Sequence, residues 1–473
     1  MPRSRIRSRC WIALVALLPA LLGGSSAVSA PPPSRLVVVG VADLKGKTSP
    51  CGCHIPKGGF ARMAAFLDST RASGIPVLFV DAGGSFPEVD GRTDLAEFMF
   101  ASLSGLVNAD AVGVAPRDLR EGLAFLRDLA RRHQVPVTCA NLLDRATRAP
   151  VFPPSLLLDR GGVRVGVLAV IGERYDLGPA RDSLVVTDAE NATTREVAAL
   201  RGRGAQIIIL LTQLGRVGGE DIATAVTGID AVVLGRDIPV LEQGRSVGGA
   251  LASYAGDQGQ NVGVLHFDLA VGGRVAGKQA GVRTLGPEVR EQPAAFAAVK
   301  AFEDAYNERM RTEQRRIQAL ADADPDQDPV EHFVGGEVCA RCHKAESQQW
   351  RTTAHSLAWE TLEREKKDAT PECIPCHSVG YRQPGGFRDA LQTPHLVNVQ
   401  CENCHGMGTL HRADGGPRAK VVELTCRNCH NAERDPEFDY AAKLPLVEHG
   451  NTSGESIRLI MERRAKGYDG ARR

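Results

Sequence analysis

Four short units carry the densest chemistry in this sequence: CARCH (Cys339, Cys342, His343), CIPCH (Cys373, Cys376, His377), CENCH (Cys401, Cys404, His405) and CRNCH (Cys426, Cys429, His430). In each, two cysteines stand three apart and a histidine follows the second. Two thiols at that spacing can form thioethers to the two vinyl groups of one haem, while the adjacent imidazole binds its iron. The units therefore read as four covalent attachment sites for haem c. Zinc and redox thiols are the competing uses. Zinc ribbons pair CxxC units without needing a histidine after each, and a thioredoxin-like site needs a single pair at a helix start. Either alternative leaves four histidines unexplained.

Each haem iron has a second axial position, and its occupant decides the chemistry. A second histidine favours electron transfer, whereas an empty face can take a small molecule. Five further histidines lie in the same region, none directly after a CxxC pair: His332, His355, His395, His411 and His449. All five are candidate distal ligands.

The elements that must position these residues follow from the rest of the chain. Within 473 residues there is room for two or three domains, and 43% hydrophobic content can fill a substantial core. Residues 1–30 read as a signal peptide: Arg3, Arg5, Arg7 and Arg9 precede the apolar run WIALVALLPALLGG and the small residues SSAVSA. That run is about 14 residues, short of the roughly 20 that a bilayer span needs. Cleavage is expected, with a periplasmic mature chain and no integral membrane segment. Without the leader's arginines the formal charge of +1 becomes about −3, which suggests no nucleic-acid partner. Cys10 leaves with the leader, and the odd number of cysteines that remain excludes a simple all-disulfide framework.

From Arg35 to about Val282, β-branched runs such as RLVVVGVAD, VRVGVLAVIG and AQIIILLTQLG alternate with helical stretches such as DLREGLAFLRDLARR. This predicts an α/β domain, residues 31–285, with a largely parallel sheet. A helical linker is expected over 286–325, ending in the acidic, turn-rich ADADPDQDPVE. The remaining segment, 326–473, has few core residues for its length and calls for covalent or metal staples.

Two resemblances attach to these regions. The runs CARCHKAESQQWRTTAHSLA, CIPCHSVGYRQPGGF and VNVQCENCHGMGTLH resemble the tetrahaem cytochrome c-554 family over about residues 335–450. The resemblance implies a mostly helical, haem-packed multihaem cytochrome c domain, with His355, His411 and His449 as distal ligands. It also implies one haem without a protein distal ligand. By motif order that is the haem of Cys373, Cys376 and His377, with His395 or His332 as the residues that would close it.

The N-terminal region resembles the metallophosphatase fold of exported 5′-nucleotidases, through ADLKG, VDAGGSF, VAPRDLREG, LLTQLG and VVLGRDIP in that order. This implies an α/β sandwich. Of the metal-ligand positions the family would supply, only Asp43 is kept; the others hold Lys45, Gly84, Pro116, Arg117, Gln213, Arg236 and Ile238. Two-metal hydrolysis needs Asp, His and Asn donors, so phosphohydrolase activity is not expected. The lysine and arginines form a candidate anion site.

Cys51, Cys53 and Cys139, with His54, form a candidate soft-metal site for copper or zinc, because clustered thiolates favour such ions. One disulfide plus a buried free cysteine is the alternative. The whole reads as an electron carrier or haem oxidoreductase fused to an inactive metallophosphatase-like domain. Its expected partners are a redox protein or a quinol-linked donor or acceptor, and a small nitrogen or sulfur compound at the open haem. The alternative function is a metal-dependent 5′-nucleotidase-like phosphoester hydrolase with a haem appendage.

Overall fold

The structure is a computed structural model, and it describes residues 35–50, 55–89, 91–271, 273–321, 332–409, 411, 421–431, 434–435 and 437–450. The expected signal peptide and the residues Cys51, Cys53 and His54 lie outside the described residues.

Two mixed sheets form the N-terminal domain. The first holds the parallel strands Arg35–Val41, Val77–Asp81 and Ala111–Val112, edged by the antiparallel strands Asn261–Leu269 and Val275–Thr284. The second has Val163–Ile171, Ile207–Gln213, Ala231–Leu234 and Ala250–Ser253 in parallel, with Ser155–Arg160 and Arg245–Val247 antiparallel at its edges. The sandwich is as expected, but the sheets are mixed rather than largely parallel. The hairpin over 261–284 supplies the difference in the first sheet, and the edge strands Ser155–Arg160 and Arg245–Val247 supply it in the second. Polar residues such as His266, Asp268, Gln279 and Arg283 hold exposed positions of the hairpin, so it lacks the continuous apolar run of a strand buried on both faces.

Strand Arg35–Val41 has such a run. Leu36 and Val38 face the second sheet, while Val37, Val39 and Val41 face the helices outside. Gly40 allows the two sheets to close, since a Cβ there would lie 2.8 Å from Cγ2 of Val233. The stretch VPVTCAN, which is β-branched like the strand runs, makes only the bridge Val112 to Val137 and runs on as irregular chain.

Residues Pro293–Ala321 form one long helix. Ala295 and Val299 join the apolar core of the N-terminal domain, and Phe302 stacks on Phe98 with ring centres 4.2 Å apart. The segment expected as a linker is thus packed against the sandwich along its first half.

Beyond it the chain makes short helices and turns, among them Gly336–Cys339, Lys344–Trp350, Ala358–Arg364, Cys401–His405 and Glu423–Arg427. Among the described residues, the apolar core here is a cluster of seven buried residues: Phe333, Trp359, Leu362, Ile374, Val379, Phe387 and Leu396. So few residues cannot hold a segment of this length by hydrophobic burial alone. Among the described residues, no helix is long and apolar enough to cross a membrane.

Candidate haem centres and the surroundings of Asp43

Each CxxCH unit closes a helical turn. His343 N–H donates to Cys339 O at 2.9 Å and His430 N–H to Cys426 O at 2.9 Å. Residues three and four apart share one helix face, so both thiols and the imidazole of a unit face the same way. The second unit is tighter: Pro375 sits in a 3₁₀ turn, and His377 N–H donates to Ile374 O at 3.0 Å.

The CENCH unit also ties distant segments together. Glu402, buried, accepts the N–H groups of Val334, Gly335 and Gly408, and Gln400 donates to His395 O and Val397 O while accepting from Gly336 N–H. Two buried side chains thereby bring the first and third units side by side. The Cys339 thiol is hydrogen-bonded to Cys401, which draws the Cys401 thiol down; Cys429 is hydrogen-bonded to Cys376. The first unit lies against the third, and the second against the fourth.

Three pairs of imidazoles face one another: His343 and His411 with ring centres 6.2 Å apart, His355 and His430 at 6.1 Å, and His405 and His449 at 6.0 Å. Two metal–imidazole bonds of about 2 Å each, plus two ring radii, place ring centres about 6 Å apart across one metal ion. Among the described residues no three His, Cys, Asp or Glu side chains converge on a common point. The donor set is therefore two imidazoles per centre, which suits a metal that brings its own four equatorial ligands.

Neighbouring groups orient these rings. Nδ1 of His430 donates to Asp435 at 2.8 Å, that of His449 to Gln349 Oε1 at 3.3 Å, and that of His377 to Ala358 O at 2.5 Å. A proton fixed on Nδ1 leaves Nε2 as the metal-binding nitrogen. Sequence reasoning missed Asp435, Gln349 and Ala358; only their neighbours in space identify them. None of the three ring pairs includes His377. His395 is exposed, with its ring against Gly335, and His332 is tied through its backbone to Thr409.

Around Asp43, where the resemblance places a metal site, the neighbouring positions are occupied by protein groups. Asp43 is buried, and its Oδ2 accepts the backbone N–H of Arg236 at 2.5 Å. Burial pushes its carboxyl up to about 6, against the pull of that hydrogen bond and of Lys45. A Cβ on Gly84 would lie 2.3 Å from Asp43 Oδ1, so Gly84 does stand where a ligand side chain would meet Asp43. Gln213 donates to Ala82 O and Gly83 O and hydrogen-bonds Asp43.

The cations expected nearby are engaged. Lys45 pairs with Asp257 at 2.7 Å and Glu88 at 3.7 Å, the Arg236 guanidinium lies 3.5 Å over the ring of Tyr175, and Arg117 donates to Pro87 O at 3.4 Å. Pro116 opens a 3₁₀ turn and Ile238 is buried apolar surface. Cys139 is fully buried in the apolar core, and burial pushes its thiol up to about 12, where it is neutral.

Comparison with known proteins follows the same division. Residues 338–406 match the family described as cytochrome c554 and c-prime. Cytochrome c-554 of Nitrosomonas europaea is 32% identical over 126 residues, which are 24% of this chain and 51% of that protein. An uncharacterized metallophosphoesterase, YunD, of Bacillus subtilis is 29% identical over 202 residues, 42% of this chain and 41% of its own length. The chain spans about half or less of the curated relatives it matches.

Among solved structures, the sulfate thiohydrolase SoxB of Thermus thermophilus superposes with a TM-score of 0.51 at 16% identity, covering 58% of this chain and 61% of that one. A 5′-nucleotidase from Staphylococcus aureus gives 0.51 at 14%, covering 77% and 71%. The N-terminal region has the metallophosphoesterase and 5′-nucleotidase fold, and the C-terminal region is cytochrome c554-like. That match implies covalently bound haem c, and the paired imidazoles fit it.

Proposed function

We propose that the C-terminal region is a tetrahaem c-type cytochrome that carries electrons, attached through Cys339, Cys342, Cys373, Cys376, Cys401, Cys404, Cys426 and Cys429. The observation that carries this is the three imidazole pairs with ring centres 6.0 to 6.2 Å apart. His343 with His411, His430 with His355 and His405 with His449 would hold three six-coordinate irons. When bound, each haem supplies a one-electron couple, with a potential set by its axial ligands and surroundings. The chain's part is to fix the ligands: Asp435 and Gln349 orient their imidazoles, and the contacts of Cys339 with Cys401 and of Cys376 with Cys429 set attachment sites side by side for electron passage.

His377 would hold the fourth iron from one side only. That open face is the place for a small nitrogen or sulfur compound, so the protein is either a carrier or an oxidoreductase at this one haem. Export to the periplasm is part of the proposal, because haem c is attached outside the cytoplasm in bacteria, and a redox protein or quinol-linked system would be the partner. The sandwich is proposed to be inactive as a phosphohydrolase, since Asp43 alone remains of the ligand set and accepts a backbone N–H from Arg236.

Replacement of the distal histidine tests the assignment. His411→Ala should convert one low-spin haem to high spin in the optical and magnetic spectra while leaving four covalent haems. An unchanged spectrum removes His411, and with it the pairing with His343.

A further inference from the structure

The N-terminal sandwich and its long helix grip one short segment of the haem region, Lys366 to Glu372. Asn307, on the Pro293–Ala321 helix, is buried; its Nδ2 donates to Lys366 O and its Oδ1 accepts from Thr370 Oγ1 at 2.7 Å. Arg311, one turn further on, forks onto Asp368 with contacts of 2.6 and 3.3 Å. Lys367 Nζ donates to Ser49 Oγ at 3.2 Å. Arg92, beside the Thr93–Gly105 helix, donates to Glu372 and lies 3.9 Å over the ring of Tyr306. The Arg92 and Glu372 side chains are 14% and 26% exposed, so water screens this pair weakly. Five positions within seven residues are held from the other domain.

Both ends of this segment bear on the second haem unit. At one end, Lys367 N–H closes onto Leu362 O in the Ala358–Arg364 helix, whose first carbonyl takes the Nδ1 proton of His377. At the other, Thr370 O accepts the N–H groups of Cys373 and Ile374 at 3.0 and 3.3 Å. Glu372 is the residue before Cys373. The segment therefore joins the group that orients His377 to the first thioether cysteine.

We propose that the N-terminal domain is the positioning platform of the second haem, with Arg92 and Arg311 as the positioning residues that balance Glu372 and Asp368 and so set that haem's reduction potential. This rests on the assignment of Cys373, Cys376 and His377 as a haem site. A fold that lost its metal ligands keeps a role as the wall behind the one iron with an open face. Neutralising a carboxylate raises a neighbouring haem's potential, because the ferric state carries one more positive charge; exposing a carboxylate lowers it.

The test is a redox titration of the full-length holoprotein followed by electron paramagnetic resonance, reading the high-spin haem apart from the low-spin ones. Arg92→Gln should lower the high-spin haem's reduction equilibrium about tenfold, ~59 mV for a one-electron couple. Glu372→Gln should raise it by a similar factor, and the double variant should return close to the starting value. The low-spin haems should move far less. Arg311→Gln and Asp368→Asn form a second pair should the first fail to accumulate.

Shifts of the same sign in both single variants, equal shifts in all haems, or no shift would overturn the proposal. A parent protein with fewer than four covalent haems or no high-spin haem would instead overturn the haem reading beneath it.

Discussion

His430 places an Nδ1 proton on Asp435 at 2.8 Å, and this contact predicts how one centre is tuned. A carboxylate accepting from a metal-bound imidazole makes that ligand more electron-rich and stabilises the ferric state. Asp435→Ala should therefore raise the potential of one low-spin haem, measured by optical redox titration, with the spin-state count unchanged. His395→Ala should leave both spin count and potentials alone, since its ring rests against Gly335 and it belongs to none of the three imidazole pairs.

A second residue-scale prediction concerns pH. Asp81 is fully buried, and burial pushes its carboxyl up to about 7 despite hydrogen bonds from Ser85 Oγ and Gly83 N–H. Its folded value lies above its unfolded one, so its contribution is fully present below about pH 4 and is lost as pH rises through 7. Asp81→Asn should flatten the fall in stability of the sandwich between those limits, a change of a few kcal/mol by calorimetry. An unchanged pH slope would mean that Asp81 ionises without cost.

At the scale of elements, what the sequence made legible depended on whether chemistry or tertiary packing set the spacing. A CxxCH unit is readable because both thiols and the imidazole must reach one ligand from a single turn. The pairing of His343 with His411, and of His355 with His430, is set by how segments cross in space, and no local pattern encodes it. Buried strands such as Arg35–Val41 announce themselves through continuous apolar runs. The Asn261–Leu269 and Val275–Thr284 hairpin does not, since His266, Asp268 and Lys278 interrupt it with polar groups. The long helix was legible as a helix but not as a clamp, because Asn307 and Arg311 look like ordinary surface residues until Thr370 and Asp368 are placed opposite them.

Over the whole molecule, the proposal joins a metallophosphoesterase-type fold without a working metal site to a haem domain. Asp43 accepts a backbone N–H, and Lys45 and Arg236 are engaged by carboxylates and a tyrosine ring. The full-length protein should release no phosphate from nucleoside monophosphates with added manganese, zinc or cobalt; metal-dependent release would contradict the reading of Gly84 and Gln213 as lost ligands. The proposed arrangement is three paired irons and one open one. An electron paramagnetic resonance spectrum of the oxidised protein, with covalent haem counted on the same sample, tests it most directly. Four haems, three low-spin and one high-spin, are expected; four low-spin haems, or fewer than four haems, would overturn that arrangement.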